Sequence, residues 1–359
     1  MSDILIDKAV NVRDDEKINE SSLNTYLSRF IDYDTSDFQI LQFPSGFSNL
    51  TYLIRSGNQD FVLRRPPHGA KIKSGHDMNR EFKVLTSLKD TYDKSPNPIH
   101  YCDNEDIIGA EFYIMERLEG LILRGTNYKN IIKNNSDFSD LSEEFVQTFV
   151  DLHKIDLNES GLTDFGNPKG YNTRQVKGWS KRYSNSKTEE IDEINFVIKW
   201  LNDNIVQSQF VSLIHNDFKY DNLVLDPKSL KVISVLDWEM STLGDPFMDL
   251  GTSLAYWIQN NDPNFVKAIH LNITSEQGNP SRGEILQLYQ KQFGHEIEDI
   301  VFYFTYGLFK IAVIVQQIYY RYKQGLTKDV RFKELDKIVK AYGIMAKQSI
   351  QKNKIESLF

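Results

Sequence analysis

Short apolar runs separated by turn residues dominate the chain between residues 38 and 118 and predict an antiparallel sheet. The runs are rich in aliphatic, β-branched and aromatic side chains, which strands favour. The predicted strands are 38–43, 49–56, 60–65, 99–103 and 111–118. Apolar positions three or four residues apart predict a helix over 77–90. Ser21 and Ser22 are suited to cap another helix before the sheet.

Further along the chain the apolar positions take the 3.6-residue spacing that is typical of helices. This spacing is clearest over 145–155 and 194–206. Residues after 245 are also predicted to be helical, except over 262–282. The stretch 161–179 is rich in glycine and polar residues and predicts a loop.

A second β element is predicted within the helical part of the chain. Two short apolar runs, 222–226 and 232–238, are separated by Pro, Lys and Ser at 227–229, which predicts a β-hairpin. The change from strand-like to helix-like patterning predicts two domains, residues 1–116 and residues 117–359.

Composition excludes several classes of protein. The 359 residues are 40% hydrophobic and 26% charged, as is usual for a folded soluble protein, and the net charge of −8 disfavours nucleic-acid and anionic-membrane partners. A single cysteine, Cys102, excludes an intrachain disulfide. The most apolar stretch, Val301 to Val315, contains Lys310 and is shorter than the ~20 residues of a membrane span, which predicts a buried helix. We therefore expect a cytoplasmic protein.

The predicted hairpin carries residues with the chemistry of phosphoryl transfer. Asp217 and Asn222 are five residues apart on the loop that enters the hairpin, and Asp237 ends the return strand. A hairpin brings Asn222 and Asp237 together as oxygen ligands, which Mg²⁺ prefers. Asp217 is then suited to accept a proton from a hydroxyl, and Lys219 to offset the charge of a phosphoryl group. This set predicts a magnesium-dependent phosphotransferase.

The same residues resemble a known family. The H-x-D-x-x-x-x-N run at 215–222, with Asp237 beyond it, resembles the catalytic loop and metal aspartate of the protein-kinase-like fold. The string LIHNDFKYDNLVLD…VISVLDWEMSTLGDPFMDLGTSLAYW is similar to the aminoglycoside phosphotransferase/choline kinase superfamily, especially the branch fused to acyl-CoA dehydrogenases. Further segments that resemble this branch lie at 45–54, 61–67, 79–85, 112–120 and 161–179.

The resemblance implies an α+β, bilobal, protein-kinase-like fold. The N-lobe would hold an antiparallel β-sheet and a helix, and the larger, mainly helical C-lobe would hold the catalytic β-hairpin. The resemblance also implies a loop over the ATP phosphates, formed by Ser45, Gly46, Phe47, Ser48 and Asn49.

The resemblance implies further roles for single residues. Arg64 would take the place of the nucleotide-binding lysine on the third strand, and Glu81 would pair with it. Glu116 and Leu118 would lie in the segment that contacts the adenine. By the same resemblance Asp217 is the base or orients the hydroxyl, Lys219 assists it, Asn222 and Asp237 hold Mg²⁺, and Asp249 braces the catalytic loop.

Some of these residues also have ordinary structural explanations. His215 suits a hydrogen-bonded position that shapes the loop better than a catalytic acid, because Asp217 already suits the base. Asp237 is also in a position to cap a turn. Glu239 is either a second metal-shell group or a solvated residue, and Trp238 is expected in the core.

The acceptor is left open between several small molecules. The stretch 161–183 carries five basic residues against one acidic residue, Asp164, which favours an anionic or acyl acceptor, such as a hydroxyacyl thioester, over a polycationic aminoglycoside. A choline-like acceptor needs an aromatic cage, for which Tyr171, Trp179 and Tyr183 are candidates.

Two other functions compete with the kinase. A pseudokinase that binds nucleotide and regulates a partner is suggested by Arg64 alone, since Asp217, Asn222 and Asp237 are intact. A metal-dependent hydrolase needs a His/Asp ligand cluster, and the sequence shows no such spacing. The oligomeric state does not follow from the sequence.

Overall fold

The computed structural model describes residues 8–44, 49–67, 77–123, 127–132, 134–267, 273–327 and 329–359. Their contacts divide them into two compact units. The first unit takes its described residues from Met1–Ile122, Asp156–Leu162 and Asn222–Ser241, and the second takes them from Leu123–Ile155, Thr163–Asp221 and Thr242–Phe359. Because the chain crosses between the units several times, this packing differs from a single cut at residue 116, and the functional division into 1–116 and 117–359 stays a prediction.

The first unit contains a five-stranded antiparallel sheet in the order β1-β2-β3-β5-β4. Its strands are β1 (Phe38–Gln42), β2 (Leu50–Ser56), β3 (Gln59–Arg65), β4 (Pro98–Cys102) and β5 (Phe112–Glu116). All five lie where the short apolar runs predict them. Helix α1 (Glu20–Leu27) packs Leu23 and Leu27 against Tyr52, Ile54 and Leu63 of the sheet, and this contact forms the unit's core.

Helix α2 (Met78–Leu88) follows β3 and carries Glu81. The side chain of Asp77 caps it by accepting a hydrogen bond of 2.9 Å from the N–H of Arg80. Glu81 is buried along with Met78 and Leu85, so this face of α2 belongs to the interior of the unit.

The predicted hairpin is present as β7 (Leu223–Leu225) and β8 (Val232–Val235), and it belongs to the first unit. The chain after β5 pairs with it, because Leu121 and Leu225 exchange two main-chain hydrogen bonds of 2.8 Å. Gly120 makes this approach possible, since a Cβ there would lie 2.4 Å from Val224.

The second unit is mainly helical. Its helices are α3 (Asn135–His153), α4 (Tyr171–Ser186), α5 (Asp192–Asp203), α6 (Pro246–Tyr256), α7 (Asn264–Lys267), α8 (Arg282–Phe293), α9 (Ile300–Lys323) and α10 (Leu335–Lys352). Two three-residue strands, β6 (Ser212–Ile214) and β9 (Thr242–Gly244), pair with each other and were not predicted. They are too short for a period of two to stand out in the sequence.

The prediction of a loop over 161–179 is wrong for the second half of this stretch, which is helical. Helix α4 begins at Tyr171, because the buried positions Tyr171, Val176, Trp179 and Tyr183 lie on one helical face. Glycine and polar residues on the other face hide this spacing. Helix α3 also begins earlier than predicted, at Asn135, where the carboxylate of Asp137 accepts from the N–H of Asn134 (3.1 Å).

The apolar stretch from Val301 to Val315 lies in the N-terminal two thirds of α9 and is mostly buried, as predicted. By length and composition this 24-residue helix is able to cross a membrane, but 72% of its most apolar window is buried inside the structure. Glycines allow α6 and α9 to cross closely, because a Cβ on Gly307 would lie 2.3 Å from the carbonyl oxygen of Gly251. Helix α9 is therefore a core helix of the second unit.

Candidate functional site

A buried charge cluster surrounds Arg64 in the first unit. The Arg64 side chain is 10% exposed; its Nε lies 3.4 Å from Glu81 and its Nη2 lies 2.9 Å from Asp237. A carboxylate oxygen of Glu239 is 3.7 Å away. Burial by itself lowers the pKa of Arg64, but the neighbouring carboxylates, Glu81 first, raise it well above its usual value. The predicted pairing of Arg64 with Glu81 is therefore present, and Asp237 joins it.

The two predicted metal ligands lie at the same end of the hairpin. The main-chain N–H of Leu236 donates to the carbonyl oxygen of Asn222 (2.8 Å), which extends the ladder by one pair beyond Leu223 and Val235. Asp237 follows directly and has a left-handed backbone, with φ of 68°. Non-glycine residues adopt this conformation rarely, and it turns the chain sharply at the strand end.

Glu239 is not a solvated residue. Its side chain is 15% exposed and accepts a hydrogen bond of 2.7 Å from the amide of Asn49. Asn49, predicted in the phosphate loop, thus contacts the segment that carries Asp237. Trp238 is buried, as expected, and donates from its indole N–H to the carbonyl oxygen of Val235 (2.8 Å).

These oxygen donors suit a hard cation. The amide of Asn222 and the carboxylates of Asp237 and Glu239 are the donor types that Mg²⁺ takes, usually with substrate phosphates and water in its other positions. Within the part of the chain that the structure describes, no group of three or more His, Cys, Asp or Glu side chains forms a metal site.

The other predicted nucleotide contacts are described only in part. Glu116 ends β5 and accepts hydrogen bonds from the main chain and side chain of Asn97, at 2.7 and 2.9 Å. Leu118 follows it and is partly buried. Their contact with adenine stays a prediction. Ser45, Gly46, Phe47 and Ser48 lie outside the described residues.

Asp217 and Lys219 meet in the second unit. The Lys219 ammonium donates to the Asp217 carboxylate at 2.8 Å, and it also lies 4.9 Å from the centre of the Tyr256 ring. Burial by itself raises the pKa of Asp217, but the charge and hydrogen bond of Lys219 outweigh it, so the pKa of this carboxyl lies below its usual value. The Tyr256 hydroxyl also bonds to it. Asp217 is thus an ionised acceptor at neutral pH.

Asp249 on α6 braces the loop that carries Asp217, as the resemblance implies. Its carboxylate, which is fully buried, accepts from the N–H groups of His215 (2.6 Å) and Asn216 (2.8 Å). A ring nitrogen of His153 lies 3.2 Å from the same carboxylate. His215 is itself fully buried, and its Nδ1 accepts from the N–H of Asp217 (3.3 Å). His215 and His153 therefore shape the loop.

The three aromatic residues considered for a choline cage are interior residues. Tyr171, Trp179 and Tyr183 are 3%, 7% and 2% exposed, so they do not line an open cage. The basic residues of the same stretch are exposed, and the guanidinium of Arg182 stacks 4.6 Å from the centre of the Trp179 ring. Helix α4 thus presents cations to solvent and keeps its aromatic rings inside. The exposed cations of the stretch are Lys169, just before α4, and Arg174, Lys177, Lys181 and Arg182 on the helix.

Two contributors to the site were not predicted. Tyr256 bonds to Asp217 from α6, and Lys310 bonds to Asn216 from α9. The only signal for Lys310 is a charged residue in an otherwise apolar stretch. Nothing in the local sequence marks Tyr256, because its partner lies 39 residues away (256 − 217).

Comparisons with known proteins place the chain in a family. A family profile described as the phosphotransferase enzyme family matches residues 39–273. Acyl-CoA dehydrogenase family member 11 of Rattus norvegicus is 34% identical over 324 residues, which are 88% of this chain and 41% of that protein. The chain therefore spans about two fifths of this curated relative.

Two solved structures share the fold. One from Ralstonia eutropha JMP134, described as a presumptive aminoglycoside phosphotransferase, is 27% identical with a TM-score of 0.79, covering 94% of this chain and 99% of that one. Choline kinase from Cryptosporidium parvum Iowa II is 13% identical with a TM-score of 0.64, covering 95% and 98%. The predicted α+β kinase-like fold and the resemblance to the dehydrogenase-fused branch are confirmed. Because the family profile covers well over half of its length, the chain belongs to the phosphotransferase enzyme family, and it has the protein-kinase-like fold.

Proposed function

We propose that the protein transfers the γ-phosphoryl group of ATP, in a magnesium-dependent reaction, to a hydroxyl group of a small molecule. The observation that carries this proposal is the buried Arg64, which is paired with Glu81 and Asp237. In protein kinases a lysine–glutamate pair and a metal-binding aspartate must both be in place for transfer. The arrangement of Arg64 supports an active kinase rather than a pseudokinase.

The first unit would bind the nucleotide and the cation. Arg64 would contact the phosphates, because its planar guanidinium binds phosphate oxygens in pairs. Asn222 and Asp237 would hold Mg²⁺, with Glu239 beside them. Bound magnesium supplies charge neutralisation for the transferred phosphoryl group. On nucleotide binding, Arg64 would exchange part of its contact with Asp237 for the phosphates.

The second unit would supply the group that acts on the acceptor. Asp217 is ionised and would accept the proton of the acceptor hydroxyl as its oxygen bonds to phosphorus and the bond to ADP breaks. Lys219, 2.8 Å from Asp217, would offset negative charge on the phosphoryl group. Rate enhancement would come from positioning and electrostatics, with no covalent enzyme intermediate.

For the acceptor we propose an anionic or acyl-bearing alcohol, and a hydroxyacyl thioester in particular. The exposed cations of α4 support an acceptor with negative charge. The relationship to proteins named as acyl-CoA dehydrogenases supports an acyl thioester. A polycationic aminoglycoside fits this surface less well. A cytoplasmic location and the lack of a nucleic-acid or membrane partner stay predictions.

Thermal unfolding with and without magnesium-ATP tests the nucleotide site. A ligand at 100 times its dissociation constant adds about 2.7 kcal/mol, which corresponds to a rise of several degrees in Tm. We expect this rise in the wild type, its loss in Asp237→Ala, and its retention in Asp217→Ala. Asp103→Ala, an exposed aspartate in the first unit, is the matched control. The absence of any shift at millimolar nucleotide would favour the pseudokinase.

Release of ADP tests the reaction itself. Hydroxyacyl-coenzyme A thioesters, simple hydroxy acids, choline and kanamycin are compared as acceptors. We expect ADP to form quickly only with the thioester, and Asp217→Ala to abolish this release. Full turnover in Asp217→Ala would refute the assignment of the base, and equal rates with all acceptors would refute the proposed acceptor class.

A further inference from the structure

Lys310 is a buried cation to which the proposed reaction assigns no role. It lies in the middle of α9 and is 1% exposed. An ammonium group in such a place is costly unless it is hydrogen-bonded and near opposite charge. The contacts of Lys310 therefore indicate why the helix contains it.

Both hydrogen bonds of Lys310 go to Asn216, the residue before Asp217. Its Nζ donates to the Asn216 carbonyl oxygen at 2.7 Å and to the side-chain oxygen Oδ1 at 3.1 Å. The Tyr171 hydroxyl from α4 donates to the same Oδ1 (3.3 Å), and Asp249 on α6 accepts from the N–H of Asn216. Three helices thus fix the polar groups of this one residue.

Asn216 needs such support because its backbone is left-handed, with φ of 66°. This conformation is uncommon for a residue other than glycine and costs free energy. Without its partners Asn216 would relax to an ordinary conformation, and the direction of the chain at Asp217 would change.

The hydrogen bond from Lys310 to Asn216 affects Asp217 through the rigid peptide group that joins the two residues. The carbonyl of Asn216 and the N–H of Asp217 belong to the same planar peptide group. Lys310 holds the carbonyl end of this plane, and His215 accepts from the N–H end at 3.3 Å. Fixing the plane at both ends fixes the position of the Asp217 Cα atom, from which the side chain leaves the backbone.

Charge also favours a lysine at this place. Burial lowers the pKa of Lys310 to about 8, while the carboxylates of Asp249 and Asp217 oppose that decrease, so the side chain is mostly a cation at pH 7. The Lys310 cation in turn stabilises the negative charges of the Asp249 and Asp217 carboxylates. The charged groups that act on Lys310 are Asp249 on α6, Asp217 and Lys219 on the loop, and Arg182 on α4, and the Tyr171 hydroxyl bonds to the same Asn216 side chain.

We propose that Lys310 is a positioning residue, which holds the peptide between Asn216 and Asp217 so that the Asp217 carboxylate is aimed at the acceptor hydroxyl. This inference rests on the proposed function, in which Asp217 accepts the proton. Its effect is expected on kcat and not on the KM for ATP, because the residues proposed for the nucleotide are in the first unit.

Lys310→Met removes the charge and the donor while keeping an unbranched buried side chain. Lys310→Arg keeps both. The matched control is Gln316→Met on the same helix, since Gln316 is also 1% exposed and donates to a main-chain carbonyl, that of Ser186 (2.8 Å), away from the loop. Each variant is compared with the wild type for Tm, for ADP release from magnesium-ATP with hydroxybutyryl-coenzyme A, and for amide hydrogen exchange of peptides within 211–221.

We expect Lys310→Met to lower kcat on the order of 100-fold with the KM for ATP unchanged within twofold, since a small misplacement of a reacting group has an effect of that size. Exchange within 211–221 should speed up in Lys310→Met alone, and Lys310→Arg should recover at least a tenth of the lost kcat. Gln316→Met should keep wild-type kcat even where its Tm falls equally.

Two results would overturn the inference in distinguishable ways. A wild type that releases ADP, with a folded Lys310→Met variant of the same kcat and the same exchange over 211–221, would overturn the role of Lys310 alone. A wild type that releases no ADP with any acceptor would overturn the proposed function, and with it the catalytic part of this inference; faster exchange in Lys310→Met would then show only that Lys310 holds the loop.

Discussion

Individual buried charges in this protein are stabilised by partners that are far away in the sequence. Arg64 is paired with Asp237, and Lys310 donates hydrogen bonds to Asn216. Arg282, which has no exposed surface, is paired with Asp262 and donates to the carbonyl oxygens of Trp257 (2.8 Å) and Ile355 (3.2 Å). Because removing one partner leaves an uncompensated buried charge, such residues are sensitive to substitution.

At Asp217 the balance between burial and Lys219 leads to a prediction about pH. In the wild type Lys219 holds the pKa of Asp217 below its usual value, so the base remains ionised at mildly acidic pH. The Lys219→Met substitution removes the largest cause of the low pKa, so the pKa of Asp217 rises. A smaller fraction of the Asp217 carboxyl is then ionised in acid. The ratio of kcat at about pH 5.5 to kcat at about pH 8 should therefore fall severalfold relative to the wild type.

Comparing the two pH values within one variant separates this effect from any direct role of Lys219 in transfer. Lys177→Met, which removes an exposed cation on α4, should leave the ratio unchanged. An unchanged ratio in Lys219→Met would contradict the explanation of the low pKa at Asp217.

At the scale of secondary structure, helices α6 and α9 cross very closely. Among the described glycines of the second unit, those at this crossing leave the least room for a Cβ atom. The Cβ of an alanine at 307 would lie 2.3 Å from the carbonyl oxygen of Gly251, and one at 251 would lie 2.2 Å from that of Tyr303. The same two helices carry Asp249 and Lys310. A shift of one helix against the other would therefore also disturb the loop that carries Asp217.

We expect Gly307→Ala to lower the free energy of unfolding by about 1–3 kcal/mol, because backbone atoms cannot move aside as a flexible side chain can. Differential scanning calorimetry should show a Tm lower by several degrees. Gly178→Ala in α4 is the control: its Cβ would meet only the end of the Arg182 side chain at 3.3 Å, and alanine favours the helix by about 1 kcal/mol. Equal Tm values in the two variants would contradict this account of the crossing.

For the whole molecule, the first unit is assembled from segments that are separated along the chain. Residues 222–241 return to the sheet-containing unit after about a hundred residues that belong mainly to the second unit. They bring Asp237 to Arg64 and pair with Leu121, and the N–H of Val235 donates to the carbonyl oxygen of Lys94 (2.8 Å). The N-terminal third therefore lacks part of its own interior.

A fragment of residues 1–122 should not fold cooperatively, because Arg64 and Glu81 would be left without Asp237 and the strand edge at Leu121 would be open. Circular dichroism during heating should show no sharp transition. The same fragment joined to residues 222–241 by a flexible linker should regain one. Cooperative unfolding of residues 1–122 alone would contradict the packing described for this unit.

The sequence by itself determined the strands, most of the helices and the identity of the kinase-like loop. These follow from local patterns: short apolar runs between turn residues in β1 to β5, helical spacing in α2, α5 and α9, and fixed spacings among Asp217, Asn222 and Asp237. Local propensity and periodicity act over a few residues, so they can be recognised without knowing the fold. Helix α4 was not predicted, because polar residues and glycine are more numerous in it than the buried residues that define its helical spacing.

Only the tertiary structure decided which charges meet. The contacts of Arg64 with Asp237, of Asn49 with Glu239 and of Lys310 with Asn216 join residues 173, 190 and 94 positions apart. No periodic pattern encodes such pairs, because each partner alone resembles an ordinary polar residue. Burial then decides their chemistry: exclusion of water makes each charge depend on its neighbours, and these neighbours exist only after the segments have packed together.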